Sequence, residues 1–246
     1  MSMENKPILQ TLGPDIWIVD GPPIEFYKIP FQTRMTVIRL QNGDLFLHSP
    51  IQYNPELAKA LEALGRIRHL VSPNWIHYAY IAEWADAYPE AIAWASPNVR
   101  ERARKQAVDV RFDRDLQDNA EPEWEDDLEQ LIVHGSKVHT EVVFFHKRSS
   151  VLVLTDLIEN MPSKTLPLWI RPLAWAAGIL APNGKMPIDI WFSFSGNRDK
   201  LRKALTRMLE WKPETVVLAH GDILRENAPQ RLREGFRNLA PCGHGH

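Results

Sequence analysis

The chain alternates twice between short strand-like runs and helical segments, and that order leaves few folds open. Runs rich in β-branched and aromatic residues come first, at Asp15–Val19, Met35–Leu40 and Leu45–His48, with Asn42-Gly43 as a hairpin turn between the last two. Asn54-Pro55 then opens a helix. Asn suits the N-cap and Pro the first helical position, and Leu57, Leu61 and Leu64 share a face until Gly65 ends it. His69–Ser72 predicts another strand, followed by a helix from about Asn74 to Tyr88, with His77 in its first turn. Ala91–Ala95 reads as a strand, and Ser96-Pro97 caps a basic helix through Gln106.

The second bout begins after Asp113–Glu129, an acidic stretch containing EPEWEDDLE that reads as a surface excursion. Three strand-like runs follow, Leu131–Val133, Glu141–His146 and Val151–Thr155. Asn160–Asp189 is rich in Pro, Trp and Leu, irregular with a helix near Leu166–Ile179. Asn197 caps a helix with an apolar stripe of Leu201, Leu205 and Leu209. Thr215–Ala219 is a last buried strand, and a closing helix runs from about Glu226 to Leu239. No low-complexity linker divides the halves. One domain is therefore expected over residues 1–246, with a core at about 15–239 and a mobile tail from 240. The order predicts an α/β sandwich of two mixed sheets with helices outside, rather than a barrel or a doubly wound sheet.

Bulk composition narrows the function classes. A chain of 246 residues, 44% hydrophobic and 24% charged, can build one large core. Lys+Arg 29 against Asp+Glu 31 leaves a net charge of -2, so no overall field favours nucleic acid or an anionic membrane surface. No apolar run approaches the ~20 residues of a membrane span. The opening MSMENKPILQTLG lacks the apolar stretch of a signal peptide. The single cysteine, Cys242, cannot form an internal disulfide, which fits a reducing, cytoplasmic setting. Nine tryptophans are spread without a repeat period, and core packing is the expected role for most.

Polar residues fall at the ends of predicted strands. His48 ends LFLH, His77 follows HLVSPN, Asp156 ends VLVLTD and His220 ends TVVLAH. Ligands of α/β sheets bind beyond the carboxyl ends of strands, so these four could converge. Two or three imidazoles with one carboxylate make a ligand set for Zn²⁺, Fe²⁺ or Mn²⁺. Taken singly, each has a simpler reading: a hydrogen-bonded structural histidine, or for Asp156 the cap of the next turn.

The phrases RMTVIRL, LFLHSP, LGRIRHLVSPNWIH, EVVFFHKRSSVLVLTDLI and VVLAHGDIL resemble the metallo-β-lactamase superfamily, in particular a domain-of-unknown-function branch described as metallo-hydrolase-like. The likeness runs from about Asp15 to Leu239. It implies an αββα sandwich with its metals at one edge. The superfamily's HxHxDH run falls on Ser72–His77, where Ser72, Asn74 and Ile76 replace two histidines and the aspartate, and only His77 keeps its type. The next histidine of the pattern falls near His139, the bridging aspartate on Asp156 and the final histidine on His220. The resemblance thus implies one divalent ion, zinc or iron(II), held by His77, Asp156 and His220, with the second metal position empty.

Other residues take supporting expectations. His48 stands where the superfamily has an aspartate beside the site, and either ligates or orients a ligand. Asn74 or His139 would orient the attacking water or donate to the developing oxyanion. Glu141 points at the site or at solvent, and Asp222 caps the last helix or touches substrate. His146 closes a turn with Lys147-Arg148, and the tail CGHGH picks up metal only adventitiously. The reading is a mononuclear hydrolase acting on a small ester, lactone, thioester or phosphoester. Two alternatives stand beside it: a binding module that kept the fold after losing the metal motif, and an iron oxidoreductase using the same three ligands. The Leu166–Trp191 stretch either walls an apolar pocket or forms a partner or homodimer surface.

Overall fold

Asn42 and Gly43 make the tight turn that the sequence predicts, Gly43 at φ 83°, and the strands it joins pair antiparallel. The computed structural model describes residues 9–26 and 29–240; the expectations for residues 1–8, for Cys242 and for the CGHGH tail lie outside them. Two compact units form among the described residues, one drawn from 9–24 and 32–116, the other from 25–26, 29–31 and 117–240.

The first unit carries a seven-stranded mixed sheet in chain order: β1 (Gln10–Gly13), β2 (Ile16–Phe26), β3 (Ile29–Arg39), β4 (Asp44–His48), β5 (Arg66–Ser72), β6 (Ile92–Ala95) and β7 (Arg114–Asp115). From β4 to β7 the pairing is parallel. Parallel strands are covered on both faces, which is why β4 is buried at every position. Helix α1 (Pro55–Glu62) starts as expected: the Asn54 side-chain oxygen accepts from the Glu56 and Leu57 amides at 2.9 and 3.0 Å. Helices α2 (Ile81–Ala87) and α3 (Val99–Lys105) follow β5 and β6. The core includes Leu45, Leu47, Leu70, Ile81 and Trp84. Two buried indoles of this unit find acceptors: Trp84 Nε1 donates to the Ile51 carbonyl at 2.7 Å, and Trp94 Nε1 donates to His69 Nδ1 at 3.2 Å.

Three expectations for this part of the chain need correction. Helix α2 begins at Ile81, not near Asn74, so His77 lies in a turn before it. The cause is local. Asn74 Oδ1 accepts from the Ile76 and His77 amides at 2.9 and 3.1 Å, an Asx turn that pre-empts helical geometry. Helix α3 starts at Val99 after Asn98 in the left-handed region, φ 70°, instead of being capped at Ser96; the Ser96 carbonyl accepts from Val99 in a turn that precedes the helix. The acidic stretch is not purely a surface excursion either. It contains β7, and Trp124 within it is buried, donating to Gln130 Oε1 at 3.2 Å.

The second unit carries a four-stranded sheet, ordered β11-β10-β9-β8, from β8 (Leu128–Val133), β9 (Glu141–His146), β10 (Val151–Val153) and β11 (Thr215–Val217). The first three pair antiparallel in succession, and β10 pairs β11 in parallel. Four helices accompany them: α4 (Arg171–Ala177), α5 (Ile188–Ser193), α6 (Arg198–Glu210) and α7 (Ala228–Gly235). The stripe expected on α6 is buried at Leu201 and Leu205, joined by Ala204 and Met208. Strand β10 ends two residues earlier than expected, because the amides of Thr155 and Asp156 bond a side chain instead of a neighbouring strand. The predicted helix in 166–179 shortens to α4, held between Pro167 and a left-handed Gly178 at φ 77°.

Candidate metal and catalytic site

The side chain that ends β10 is Glu141, the first residue of β9. It is fully buried, and its carboxylate accepts the amides of Thr155 at 2.7 Å, Asp156 at 2.8 Å and Leu157 at 3.2 Å. An ionised carboxylate can only accept, so His139 Nε2–H donates the fourth bond, at 3.2 Å. Of its two expected directions Glu141 takes the inward one. It clamps the turn that presents Asp156 and fixes the orientation of the His139 ring.

Asp156 follows directly on that clamp, buried, with Oδ1 3.2 Å from His220 Nε2. His220 follows β11, and the Phe31 ring meets it edge-on at 5.4 Å. One donor atom each from His139, Glu141 and Asp156 lie within 4.8 Å of one another. Glu141 Oε1 accepts the Thr155 amide and Oε2 accepts two amides and His139, so hydrogen bonds of its own tie Glu141 and His139 together beside Asp156. Asn160, which sequence reasoning missed, ties the His220 loop in place. Its Nδ2 donates to the Asp222 carbonyl at 2.9 Å, its carbonyl accepts from the Asp222 amide at 2.9 Å, and its Oδ1 accepts from Gly184 at 3.1 Å. Asp222 itself is exposed and does not cap the last helix; α7 is preceded by Asn227.

The local field is negative. Burial disfavours a charged His139, yet the Glu141 hydrogen bond and the charges of Asp156, Glu141 and Asp189 outweigh it and raise its pKa. Burial, opposed by His220 and His139 and reinforced by Asp156 and Asp189, pushes the Glu159 carboxyl up to about 7. Glu159 and Asp189, the latter in the first turn of α5, are the titratable groups that sequence reasoning passed over. No motif marks them. A buried pair of oxygen and imidazole donors in a field that favours positive charge fits a divalent ion.

The first unit holds the remaining expected residues. Asn74 is buried with its Oδ1 spent in the Asx turn, and the Ser72 hydroxyl donates to the Asn74 carbonyl at 2.9 Å. Two residues of the degenerate motif therefore build the turn that presents His77. His77 Nδ1 and Ser49 Oγ share a 2.7 Å hydrogen bond. His48, buried at the end of β4, has its pKa pushed down to about 3 by burial and by the neighbouring His77. The unfolded chain takes up this proton near the ordinary value of 6.5 and the folded chain only near 3, so stability is full above that ordinary value and falls as the pH drops between the two. Urea melts from pH 7 to pH 4 are expected to show this acid loss, reduced in His48→Gln. His146, at the end of β9, is buried where the chain turns back into β10, in agreement with its expected structural role.

The profile of the family described as Domain of unknown function (DUF4336) matches residues 14–177, more than half of the chain. The chain belongs to the DUF4336 family. No curated protein matches this DUF4336 chain in sequence. Solved structures do match its fold. The metallo-β-lactamase DIM-1, exposed to ceftazidime, superposes with TM-score 0.66 at 12% identity, covering 95% of this chain and 96% of that one. A metallo-β-lactamase from Pontibacter korlensis gives 0.63 at 12% identity, over 95% and 99% of the two chains. FIM-1 from Pseudomonas aeruginosa, in a mono-zinc form, gives 0.66 at 8% identity, over 95% and 94%. Two mixed sheets with helices make the DUF4336 protein an α/β sandwich of the metallo-β-lactamase type, as the strand order predicted. At such identities the likeness carries the fold and not the chemistry.

Proposed function

We propose that this chain is a metal-dependent hydrolase of a small ester, lactone, thioester or phosphoester, with one divalent ion, zinc or iron(II), held by Asp156 and His220 and completed by His77. The observation that supports it most is the buried Asp156 carboxylate beside His220, fixed through its own backbone by Glu141 in a field that favours positive charge. His77 enters on the resemblance of Ser72–His77 to the superfamily's metal motif. FIM-1 in its mono-zinc form is the precedent for a single ion on this fold. Such an ion supplies a Lewis acid and a water of lowered pKa.

The chain's own residues supply the rest. His139 is held in one orientation by Glu141, and its raised pKa suits donation to a developing oxyanion or leaving group. Glu159, titrating near 7, can exchange a proton at neutral pH. Asn74, its oxygen committed to the turn, builds the loop that presents His77. Ser49, which follows β4, orients the His77 ring through its hydrogen bond to Nδ1, and His48 stands beside that pair.

One observation favours a second reading, a non-catalytic binding module: Glu141 with His139, and Asp156 with His220, already pair among themselves. A panel of ester, lactone, thioester and phosphodiester substrates, assayed with zinc-loaded and iron-loaded protein, separates the two. We expect turnover on at least one member, falling by two orders of magnitude or more in Asp156→Asn, on the scale of losing electrostatic stabilisation at a reacting centre (~10²–10³-fold). Flat rates across the panel with either metal would overturn the hydrolase.

A further inference from the structure

The segment 160–188 holds an apolar surface that the proposed chemistry does not use. Helix α4 buries Ile170 and Ala174 against Met161 and Leu166, with Phe31, Ile179 and Leu180 at the edge of the cluster. The turn before the helix and the outward side of the helix present apolar side chains to solvent. Leu168 is 76% exposed, Trp169 63%, Leu173 63% and Trp175 75%. An exposed apolar patch of this kind marks a docking surface.

The helix is presented in a fixed pose. Arg171 Nε donates to the Leu166 carbonyl at 3.1 Å, and Arg237 donates to the Ala177 carbonyl at 2.7 Å and to the Met186 carbonyl at 3.0 Å. Met161 and Ala181 exchange backbone bonds with this segment, through Ile179 O at 2.8 Å and Met161 O at 2.9 Å. Two exposed tryptophans and two exposed leucines are thus displayed from a framework tied at both ends.

Local charge identifies what covers it. From Asn160 to Ile188 the chain carries Lys164, Arg171 and Lys185, bounded by Glu159, whose carboxyl is pushed up to about 7, and by Asp189; Lys164 and Arg171 are the charges nearest in sequence to the exposed tryptophans and leucines. Fields act over about a Debye length, ~8–10 Å, so this local excess and not the net charge decides what approaches the patch. An isologous contact with a second copy would set these cations against themselves. Tryptophan and leucine flanked by lysine and arginine match an anionic lipid surface, where indoles settle at headgroup depth and basic side chains meet phosphate. Among the described residues no helix is long and apolar enough to cross a membrane, so the contact is one of lying on the surface. We propose that Leu168, Trp169, Leu173 and Trp175, with Lys164 and Arg171, form a peripheral docking site for an anionic bilayer.

The test is flotation of the full chain with phosphatidylcholine vesicles, with and without roughly a third phosphatidylglycerol, alongside sedimentation of the protein alone. The expected result is binding to the anionic vesicles, weak or none to the neutral ones, a blue shift of tryptophan emission, and release by high salt. Trp169→Ala with Trp175→Ala is expected to weaken partitioning by about tenfold or more, and Lys164→Gln by about fivefold. All three side chains project into solvent, so circular dichroism and melting should match the parent; Lys164→Gln keeps the test valid should the double variant misfold. Absence of binding to either vesicle overturns the proposal. So does a concentration-dependent dimer, seen without lipid, that the tryptophan variant abolishes, because a second copy would then cover the patch.

Discussion

Replacing Glu141 by alanine is expected to cost about 3–5 kcal/mol of stability, the scale of breaking a buried charged pair, and to lower Tm by roughly 10 °C for a chain of this size. Four donors converge on this carboxylate, three of them backbone amides in the turn 155–157. Alanine leaves those amides and His139 buried without an acceptor, and water has no ready access to a group with no exposed surface. The turn that presents Asp156 loses its anchor at the same time, so metal affinity should fall with stability. Glu141→Gln keeps the volume and one acceptor oxygen but turns an N–H₂ group toward amides, and should fall between parent and alanine. Thermal and urea melts of the two variants check the order. A loss under about 1 kcal/mol for alanine would mean that the carboxylate does not anchor this turn.

Gly221→Ala is expected to cost about 3 kcal/mol or more, combining strain at a left-handed residue (~1–3 kcal/mol) with a backbone collision. Gly221 sits at φ 87°, and a methyl group there would lie 2.1 Å from the Asn160 carbonyl oxygen. Neither partner can yield cheaply, because both belong to the backbone bonds that tie residues 160 and 222. The chain carries its own control. Gly43, at φ 83°, has open space where a methyl would go, so Gly43→Ala should show the conformational strain alone, ~1 kcal/mol. The difference between the two melts isolates the close approach. Because His220 is the adjacent residue, Gly221→Ala should also weaken metal binding by about 10–100-fold, as displaced support of a ligand does. Equal melting of the two variants would contradict this account of the loop.

Much of the fold was legible because local chemistry and tertiary environment agree. The turn at Asn42-Gly43, the capped start of α1, the strand Glu141–His146 and the stripe on α6 each follow from residues within a few positions. Failures fell where a side chain competes with the expected backbone pattern. Asn74 folds its own amides into a turn and delays α2, and Glu141 takes the amides that would have prolonged β10, at a separation of 14 to 16 residues. No period or cap signal reports such a long-range bond. The candidate residues at strand ends were readable, since strand ends are where polar residues interrupt apolar runs. The supports were not: Asn160 and Glu159 look like ordinary loop residues until the sheet brings residues 156 and 220 side by side. Core packing was the expected role of most of the tryptophans; it holds for Trp84, Trp94 and Trp124 and fails for Trp169 and Trp175, just before and in α4, where the segment carries more apolar surface than its buried side can use.

The most direct test of the central proposal is the transition-metal content of protein purified without an affinity tag and without chelator. About one equivalent of zinc or iron in the parent is predicted, lost in Asp156→Asn and in His220→Ala, and reduced in His77→Ala, the ligand count of a single catalytic ion. Less than roughly a tenth of an equivalent in the parent after metal reconstitution, with the variants indistinguishable from it, would contradict the proposal and leave Asp156 and His220 as a structural pair.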